Sequence, residues 1–382
     1  MNILTLNHEF PPIGGGAAPV TLHLARHLVQ LGHEVDVVTM HFGNLPRQEM
    51  IEGVRVYRVP ALRRRPDLCR IHEMASYLIG ARFFLSGLLK QKQYHLIHAH
   101  FIIPAGPLGV QVKNKTGCPL VITMHGSDVP GYNPDRFRFA HKCLLPVWKR
   151  LVHQVDQLVS PSGHLKELVC RWCPTASVRI IPNGFDENRF DSGVPKRPQI
   201  LACSRILPRK GFQYLVEAAK ELPSEWEIHI AGDGPYLPTL KKQAEKSGVN
   251  IHFHGWLSPN DPLLKQLYES SWIFVFPSEE ENFPTVLLEA LGAGCAIITT
   301  SAGGCPEVAG SAALYVKPRD AQELKEALLR LIADESLRCE LSQKARRRIE
   351  HFSWRGVARQ YAELFEQMVN AAAEKRRQGP AG

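Results

Sequence analysis

Two glutamates eight residues apart, Glu281 and Glu289, bracket an apolar run in the stretch SEEENFPTVLLEALGAG. The run from Thr285 reads as a helix, with Glu289 about one turn inside it and Glu281 in the loop before it. A carboxylate on an otherwise apolar helix face needs a partner or a task. A loop folding back over a helix start can bring both carboxylates to one ligand. Carboxylates accept paired hydrogen bonds from vicinal hydroxyls, such as those of a ribose or a hexose. The N–H groups around Pro284 to Val286, at the helix start, are placed to meet phosphate oxygens. Glu279 and Glu280 have no such placement and read as solvated loop charge.

Upstream, SRILPRKG sends Arg205 and Lys210 from a strand end into a helix N-terminus. Two cations plus a helix dipole suit a diphosphate, although an isolated pair of this kind is equally a solvated basic turn. Glycines mark two further strand-to-helix turns. AGDGPY places Gly232 and Gly234 where backbone can come close to a planar or phosphate group. NHEFPPIGGGAAP places Gly15 and Gly16 just before a helix. Neither turn is a GxGxxG with a spaced acid, and no GxxxxGK[ST] occurs, which argues against a dinucleotide site and a P-loop.

These turns need strands and helices to carry them. NILTLN, EVDVVTM, VRVYRV, HLIHAH, PLVITMH and QLVSPS read as strands, and APVTLHLARHLVQLG as a helix stopped by Gly32. After the polar stretch DSGVPKRPQ the pattern restarts with ILACS, EIHIAG, NIHFHG, WIFVFPS and CAIITT, separated by helices. The expectation is an α/β fold of two Rossmann-like domains with parallel sheets, residues 1–190 and 196–355, facing across a cleft. Residues 356–382 continue as a long amphipathic helix crossing back to the first domain.

The 382 residues suit two domains, and 44% hydrophobic and 22% charged residues are ordinary for a soluble protein. The net charge of +9 is uneven. The first 190 residues hold 22 Lys/Arg and 13 Asp/Glu, whereas the rest hold 24 of each. That asymmetry points to an acidic partner for the first half. Nucleic acid is disfavoured as that partner: no helix-turn-helix, RRM or zinc module is readable. Nine cysteines without a framework suggest free thiols, and the lone Cys170–Cys173 pair lacks the further ligands of a zinc site. The N-terminus has neither a basic n-region nor a long apolar h-region, so a cytoplasmic location is expected.

Taken in order, FPPIGGG, MHGSD, IIPNGFDENRF, SRILPRKGFQYLVEA, AGDGP, PSEEENFPTVLLEALGAG and GGCPEV resemble the retaining GT-B glycosyltransferases of family 4. The resemblance spans nearly the whole chain. It implies a nucleotide-diphosphate sugar donor bound by the C-terminal domain, UDP-sugar favoured and GDP-sugar the alternative, and a glycan or lipid-linked acceptor bound by the N-terminal one. Arg205 and Lys210 then resemble the cations that neutralise the leaving diphosphate. Glu289 resembles the carboxylate on the donor ribose, and Glu281 the one on hydroxyls of the transferred sugar. Asn282, Phe283 and Pro284 lend backbone contacts near that sugar, and Thr285 opens the helix. His125 looks like the histidine placed near the reacting centre, with Gly15 and Gly16 approaching the donor phosphates. The chain lacks a DxD, and Arg205, Lys210 and the helix N-terminus supply positive charge, so no metal and no separate cofactor is expected. Two departures stand out. Many relatives carry Glu-Gly-Phe-Gly where this chain has Glu281-Asn282-Phe283-Pro284, and many place an acid where Ala17 and Ala18 follow the glycines.

A GT-B phosphorylase or a sugar-nucleotide epimerase would share the two-domain plan. Residues 61–92 add a separate expectation. Arg63, Arg64, Arg65, Arg70, Arg82, Lys90 and Lys92 outnumber Asp67 and Glu73, and the apolar part from Tyr77 to Leu89 is too short to span a bilayer. Phe83, Phe84, Leu85 and Leu88 could enter the headgroup region of an anionic membrane beside these cations, or the segment could pack on the sheet.

Overall fold

The computed structural model describes residues 1–132, 134–191 and 193–377. The first sheet is built from β1 (Asn2–Leu6), β2 (Glu34–Met40), β3 (Gln48–Ile51), β4 (Val54–Val59), β5 (Leu96–His100), β6 (Leu120–Thr123), β7 (Gln157–Ser160) and β8 (Val178–Ile180). Its order is β3-β4-β2-β1-β5-β6-β7-β8. Near-continuous apolar strands such as VDVV and LVIT are buried, as a parallel sheet covered on both faces requires. The covering helices are α1 (Ala17–Gln30), α2 (Ile71–Gln91), α3 (Gly106–Thr116), α4 (Pro134–Gln154) and α5 (Gly163–Trp172). One pairing departs from the expected parallel sheet. β3 runs antiparallel to β4, because Glu52 and Gly53 at φ 50° and 82° make a two-residue hairpin turn.

The second sheet contains β9 (Arg197–Cys203), β10 (Glu227–Ala231), β11 (Ile251–Gly255), β12 (Ser271–Phe276), β13 (Ala296–Thr300) and β14 (Ala313–Val316), in the order β11-β10-β9-β12-β13-β14. Its pairings are all parallel. Its helices are α6 (Phe212–Ala218), α7 (Leu237–Ser247), α8 (Pro262–Ser270), α9 (Thr285–Gly292), α10 (Cys305–Ala309), α11 (Ala321–Ala333) and α12 (Glu335–Ile349). A final helix, α13 (Trp354–Arg377), packs on α1 in the first unit. Trp354 stacks on His23 at 5.3 Å, and the Tyr361 hydroxyl meets Thr123 at 3.0 Å.

Both sheets reverse their winding, the first between β1 and β5 and the second between β9 and β12. Ligands of doubly wound sheets bind outside the carboxyl ends of the strands at that point. The chain forms two compact units, Met1–Gly184 with the stretch from Trp354 onward, and Phe185–Ser353. The division therefore falls at Gly184, ahead of the residue 190 expected from composition. Gly184 lies against the Trp354 ring with no room for a Cβ, whereas the Phe185 N–H donates to the Phe352 carbonyl at 2.6 Å.

Candidate active site

In the second unit the site grows from the loops after β9, β10 and β12. The Ile206 N–H donates to the Asp233 carbonyl at 2.9 Å, and the Ser204 N–H to the Ala231 carbonyl at 3.2 Å. Gly232 and Gly234 are required by this zipper: a Cβ on either would strike the Ser204 or Ile206 carbonyl. The close approach expected of these two glycines is thus made to protein backbone. Arg205, between the zipped residues, is exposed and has no hydrogen bond or ion pair among the described residues.

Lys210 ends a short 3-10 turn and points to the loop after β12. Gly211 lets that turn approach, since a Cβ there would meet the Pro277 carbonyl. The Lys210 ammonium pairs with Glu281 Oε1, and the Ser278 hydroxyl donates to the same oxygen at 2.6 Å. Lys210 also lies over the Phe276 ring, 5.4 Å from its centroid. The Glu281 side chain is only 7% exposed, so this pair sits largely out of water. Its backbone is fixed too: the Gly304 N–H donates to the Glu281 carbonyl at 2.8 Å, and Gly303 and Gly304 leave no room for a Cβ against Glu281 and Asn282. Asn282 and Phe283 are buried, Phe283 edge-on to Phe352 at 5.8 Å and the Asn282 carbonyl against Gly304. Pro284 is the N-cap of α9 without a side-chain acceptor, and Thr285 is exposed at its first position.

Glu289, in α9, has a different cation. Its Oε1 meets Arg189 Nη2 at 2.9 Å. Burial pushes the Glu289 carboxyl up from its ordinary value, and the Arg189 charge opposes that rise. The two glutamates therefore do not share one partner in the protein alone. Glu279 differs from the solvated charge expected. Arg319 approaches it at 2.7 Å and the Tyr214 hydroxyl donates to it at 3.0 Å, so it ties the loop to neighbouring elements.

In the first unit the loops after β1 and β6 and the strand β5 carry histidines. His125 Nε2 lies 3.0 Å from His100 Nδ1, and the two rings stack. Phe101, held at φ 72°, packs against both His8 and His125 at 4.9 and 4.6 Å. A non-glycine residue in that region stores strain, which is common at functional sites. Asp128 anchors the arrangement by accepting from the Ile102 N–H at 2.8 Å and the His125 N–H at 3.0 Å. Burial pushes Asp128 up to about 6 and lowers His8 to about 4 and His98 and His125 to about 3, so these imidazoles are neutral near pH 7. Gly16 opens α1 with open space around it, whereas the Gly15 N–H already donates to Glu9 Oε2 at 2.9 Å. A phosphate at Gly15 would have to displace that carboxylate.

Two family models cover most of the chain between them: "Glycosyltransferase Family 4" matches residues 14–189 and "Glycosyl transferases group 1" residues 184–348. The chain belongs to the group 1, family 4 glycosyltransferases. An uncharacterized glycosyltransferase of Methanocaldococcus jannaschii is 28% identical over 394 residues, spanning 96% of this chain and 98% of its own. Sucrose-phosphate synthase from Thermosynechococcus elongatus superposes with a TM-score of 0.79 at 22% identity, over 97% of this chain and 100% of its own. Anabaena HepE in complex with UDP superposes at 0.77 with 20% identity, over 96% and 100%. The fold is GT-B, and the protein is a glycosyltransferase.

Several residues of this glycosyltransferase were not singled out by the sequence. Ser278 and Arg189 lie inside quoted motifs, but nothing in their spacing ties them to Glu281 and Glu289. His100 reaches the MHGSD histidine only after the sheet brings β5 beside β6, and Asp128 is the unremarked last residue of that motif. The basic segment 61–92 also needs revision. Arg63 is buried and donates to the carbonyls of Arg65 and Pro66 at 2.9 Å, which makes it a structural cation. Arg65 pairs with Asp67 at 2.8 Å. Leu85 and Leu88 face the core and Phe84 packs on Tyr57, because α2 lies on the sheet. Phe83 is exposed as expected, and the other exposed apolar residues of the segment are Leu62, Ile71 and Ile79.

Proposed function

We propose that the enzyme transfers a hexose-type sugar, with retention and without a metal, from a nucleotide-diphosphate sugar to a glycan or lipid-linked acceptor. The observation that carries this reading is the Lys210–Glu281–Ser278 cluster beside the N-terminus of α9, at the switch point of the second sheet. A diphosphate arriving there offers Lys210 a stronger anionic partner and brings its own charge to the helix N-terminus and to Arg205. Glu281, released from Lys210, gains capacity to accept from sugar hydroxyls. Its remaining tie to the Ser278 hydroxyl, together with its bonds to sugar hydroxyls, makes it a poor nucleophile, which supports front-face attack with the leaving phosphate as base. Glu289 suits the donor ribose. A neutral His125, with Nε2 turned to His100, offers its other ring nitrogen to the reacting sugar.

The complexes of HepE with UDP and with UDP-glucose favour a UDP-sugar as the first donor to try, with GDP-sugars next. The deciding experiment is a thermal-shift panel of UDP-, GDP- and ADP-sugars with and without a chelator. A cognate donor at ~100 times its dissociation constant stabilises the folded state by about 2.7 kcal/mol. Stabilisation by none of them, with turnover on orthophosphate and a glycan alone, would replace the transferase by a phosphorylase.

We also infer cytoplasmic placement with peripheral binding to an anionic membrane through the first unit. No helix among the described residues is long and apolar enough to cross a membrane. The outer face of α2 shows Ile71, Ala75, Ile79 and Phe83 at four-residue spacing, beside exposed Arg82 and Lys90. Leu62 joins that face through its N–H, which donates to Ser76 at 2.9 Å, and Arg64 and Arg70 are exposed nearby. Cations interleaved with apolar side chains match a bilayer of anionic lipid.

A further inference from the structure

We propose that Arg189 is a positioning residue for the nucleotide, holding the Glu289 carboxylate as a fixed, charged acceptor for the donor ribose. The inference rests on the donor reading above and adds to it a residue, outside the sugar and phosphate contacts, that sets nucleotide affinity. Arg189 is fixed on several sides within the second unit. Its Nη2 donates to the Pro259 carbonyl at 2.9 Å while pairing with Glu289 at 2.9 Å. Its guanidinium lies over the Phe190 ring, 5.4 Å from the centroid. Its own N–H donates to the Asp186 carbonyl at 3.1 Å. Phe190 in turn packs against Phe185 and Tyr268 at 6.0 and 5.5 Å.

The segment meets α9 at Gly292, where a Cβ would run into the Phe185 ring. Gly292 is three residues beyond Glu289 and so near the same face of the helix. The contact that docks the segment thus also aims the arginine. A largely buried ion pair is a weak source of stability, so packing alone gives no reason for a charged pair at this strand end. Arg189 occupies one carboxylate oxygen, and a carboxylate keeps acceptor capacity beyond one such bond for a pair of vicinal hydroxyls.

The other titratable groups facing Glu289 are Cys203 at the end of β9 and Tyr268 in α8. Burial pushes Cys203 up to about 12 and Tyr268 well above its ordinary value, so both stay neutral and Arg189 supplies the charge. Without Arg189, only the Tyr268 hydroxyl would be left to oppose the effect of burial on the Glu289 carboxyl. Its proton would be retained to higher pH, and a protonated carboxyl is a poorer acceptor.

The test measures calorimetric affinity for UDP, GDP and ADP between pH 5 and 8, using whichever the wild type binds most tightly. Arg189→Gln should weaken that nucleotide about tenfold at pH 7, as the loss of one charge-assisted contact implies. It should also move the acid limb of the affinity profile to higher pH, with the turnover number at saturating donor little changed. Arg189→Lys should restore most of the affinity and return the limb toward the wild-type position. Wild-type affinity in Arg189→Gln, or a loss equal at every pH that Arg189→Lys fails to rescue, would overturn the proposal and leave a packing contact. If the wild type binds none of the three, or Glu289→Gln binds as well as the wild type, the ribose assignment itself falls and this inference with it.

Discussion

The strand ends of the two units handle ionisable groups in opposite ways. In the second unit each carboxylate of the site meets a cation, Glu281 with Lys210, Glu289 with Arg189 and Glu279 with Arg319. In the first unit His8, His98, His100 and His125 lie close together, and burial keeps all four neutral. The positive charge of that unit is displayed elsewhere, on the exposed side chains of and before α2. Charged pairs can exchange partners with an incoming anion. Neutral imidazoles offer hydrogen bonds without competing for that anion. The difference fits the proposed donor, bound by charge exchange at the strand ends of the second unit.

Acid is the strongest way to break this comparison. The folded-state values of His8, His98 and His125 lie below the ordinary histidine value. The unfolded chain therefore binds protons that the folded unit refuses, and stability is full above pH ~6.5 and falls as pH drops toward 4. Each buried histidine costs up to about 1.4 kcal/mol per pH unit in that window. Asp128 works in the opposite direction between pH 6 and its ordinary value and offsets one of them. His229 and His254 in the second unit are also lowered, but the Glu227 carboxylate counters the shift of His229, His254 is only part-buried, and Glu289 opposes both. Hydrogen–deuterium exchange at pH 7 and pH 5, corrected for intrinsic rates, should show β1, β5 and β6 losing several kcal/mol of protection before β9 and β12. Equal losses in both sheets would show that the histidines are not the weak point.

The charged pairs give the next largest effect. Lys210→Ala should lower turnover about 100-fold or more, equivalent to about 2.7 kcal/mol of transition-state stabilisation. The same change strands the Glu281 carboxylate with only Ser278, which costs stability as well. The double variant Lys210→Met with Glu281→Gln removes that stranded charge and should recover melting temperature without recovering turnover. Turnover that returns along with stability would mean that Lys210 holds the loop and does not touch the leaving group. Arg205→Ala, which breaks no pair among the described residues, should lower turnover with the melting temperature unchanged.

Much of this arrangement was legible in the sequence. Period, length and turn residues located the two largely parallel sheets, and motif order located the strand-end loops that carry Arg205, Lys210 and Glu281 and the helix that carries Glu289. What escaped was long-range pairing. Nothing local links Arg189 to Glu289 or His100 to His125, because those contacts exist only once the strand order is set. The β3–β4 hairpin escaped because QEMI carries little strand signal of its own and depends on the Glu52–Gly53 turn. Arg63 misled for a related reason. A run of three arginines reads as surface, yet one of them satisfies carbonyls inside the fold. Gly232 and Gly234 also make a close approach to the Ser204 and Ile206 carbonyls, a contact that sequence could not name because it cannot say which backbone comes near.

The smallest expected effect concerns the charge that the first unit displays on its surface. Arg64, Arg70, Arg82 and Lys90 are exposed, and each cation near an anionic bilayer contributes about 1 kcal/mol, a factor of about five in affinity. Exposed charges are screened beyond roughly 8 Å at physiological salt, so the attraction should fade as salt rises. Phe83, 75% exposed, adds an apolar anchor that salt does not weaken. Flotation with vesicles of neutral lipid, and of neutral lipid mixed with phosphatidylglycerol, separates the two contributions. Binding should need the anionic lipid. It should drop by about fivefold for each of Arg64→Gln, Arg70→Gln and Arg82→Gln, and lose its salt-resistant remainder in Phe83→Ser. Arg63 is unsuitable as a probe, because its buried guanidinium holds the fold and its loss would mimic a binding defect. Equal flotation on both vesicles, or none on either, would leave α2 as a domain helix with a solvated basic face and remove the membrane from the account of this transferase.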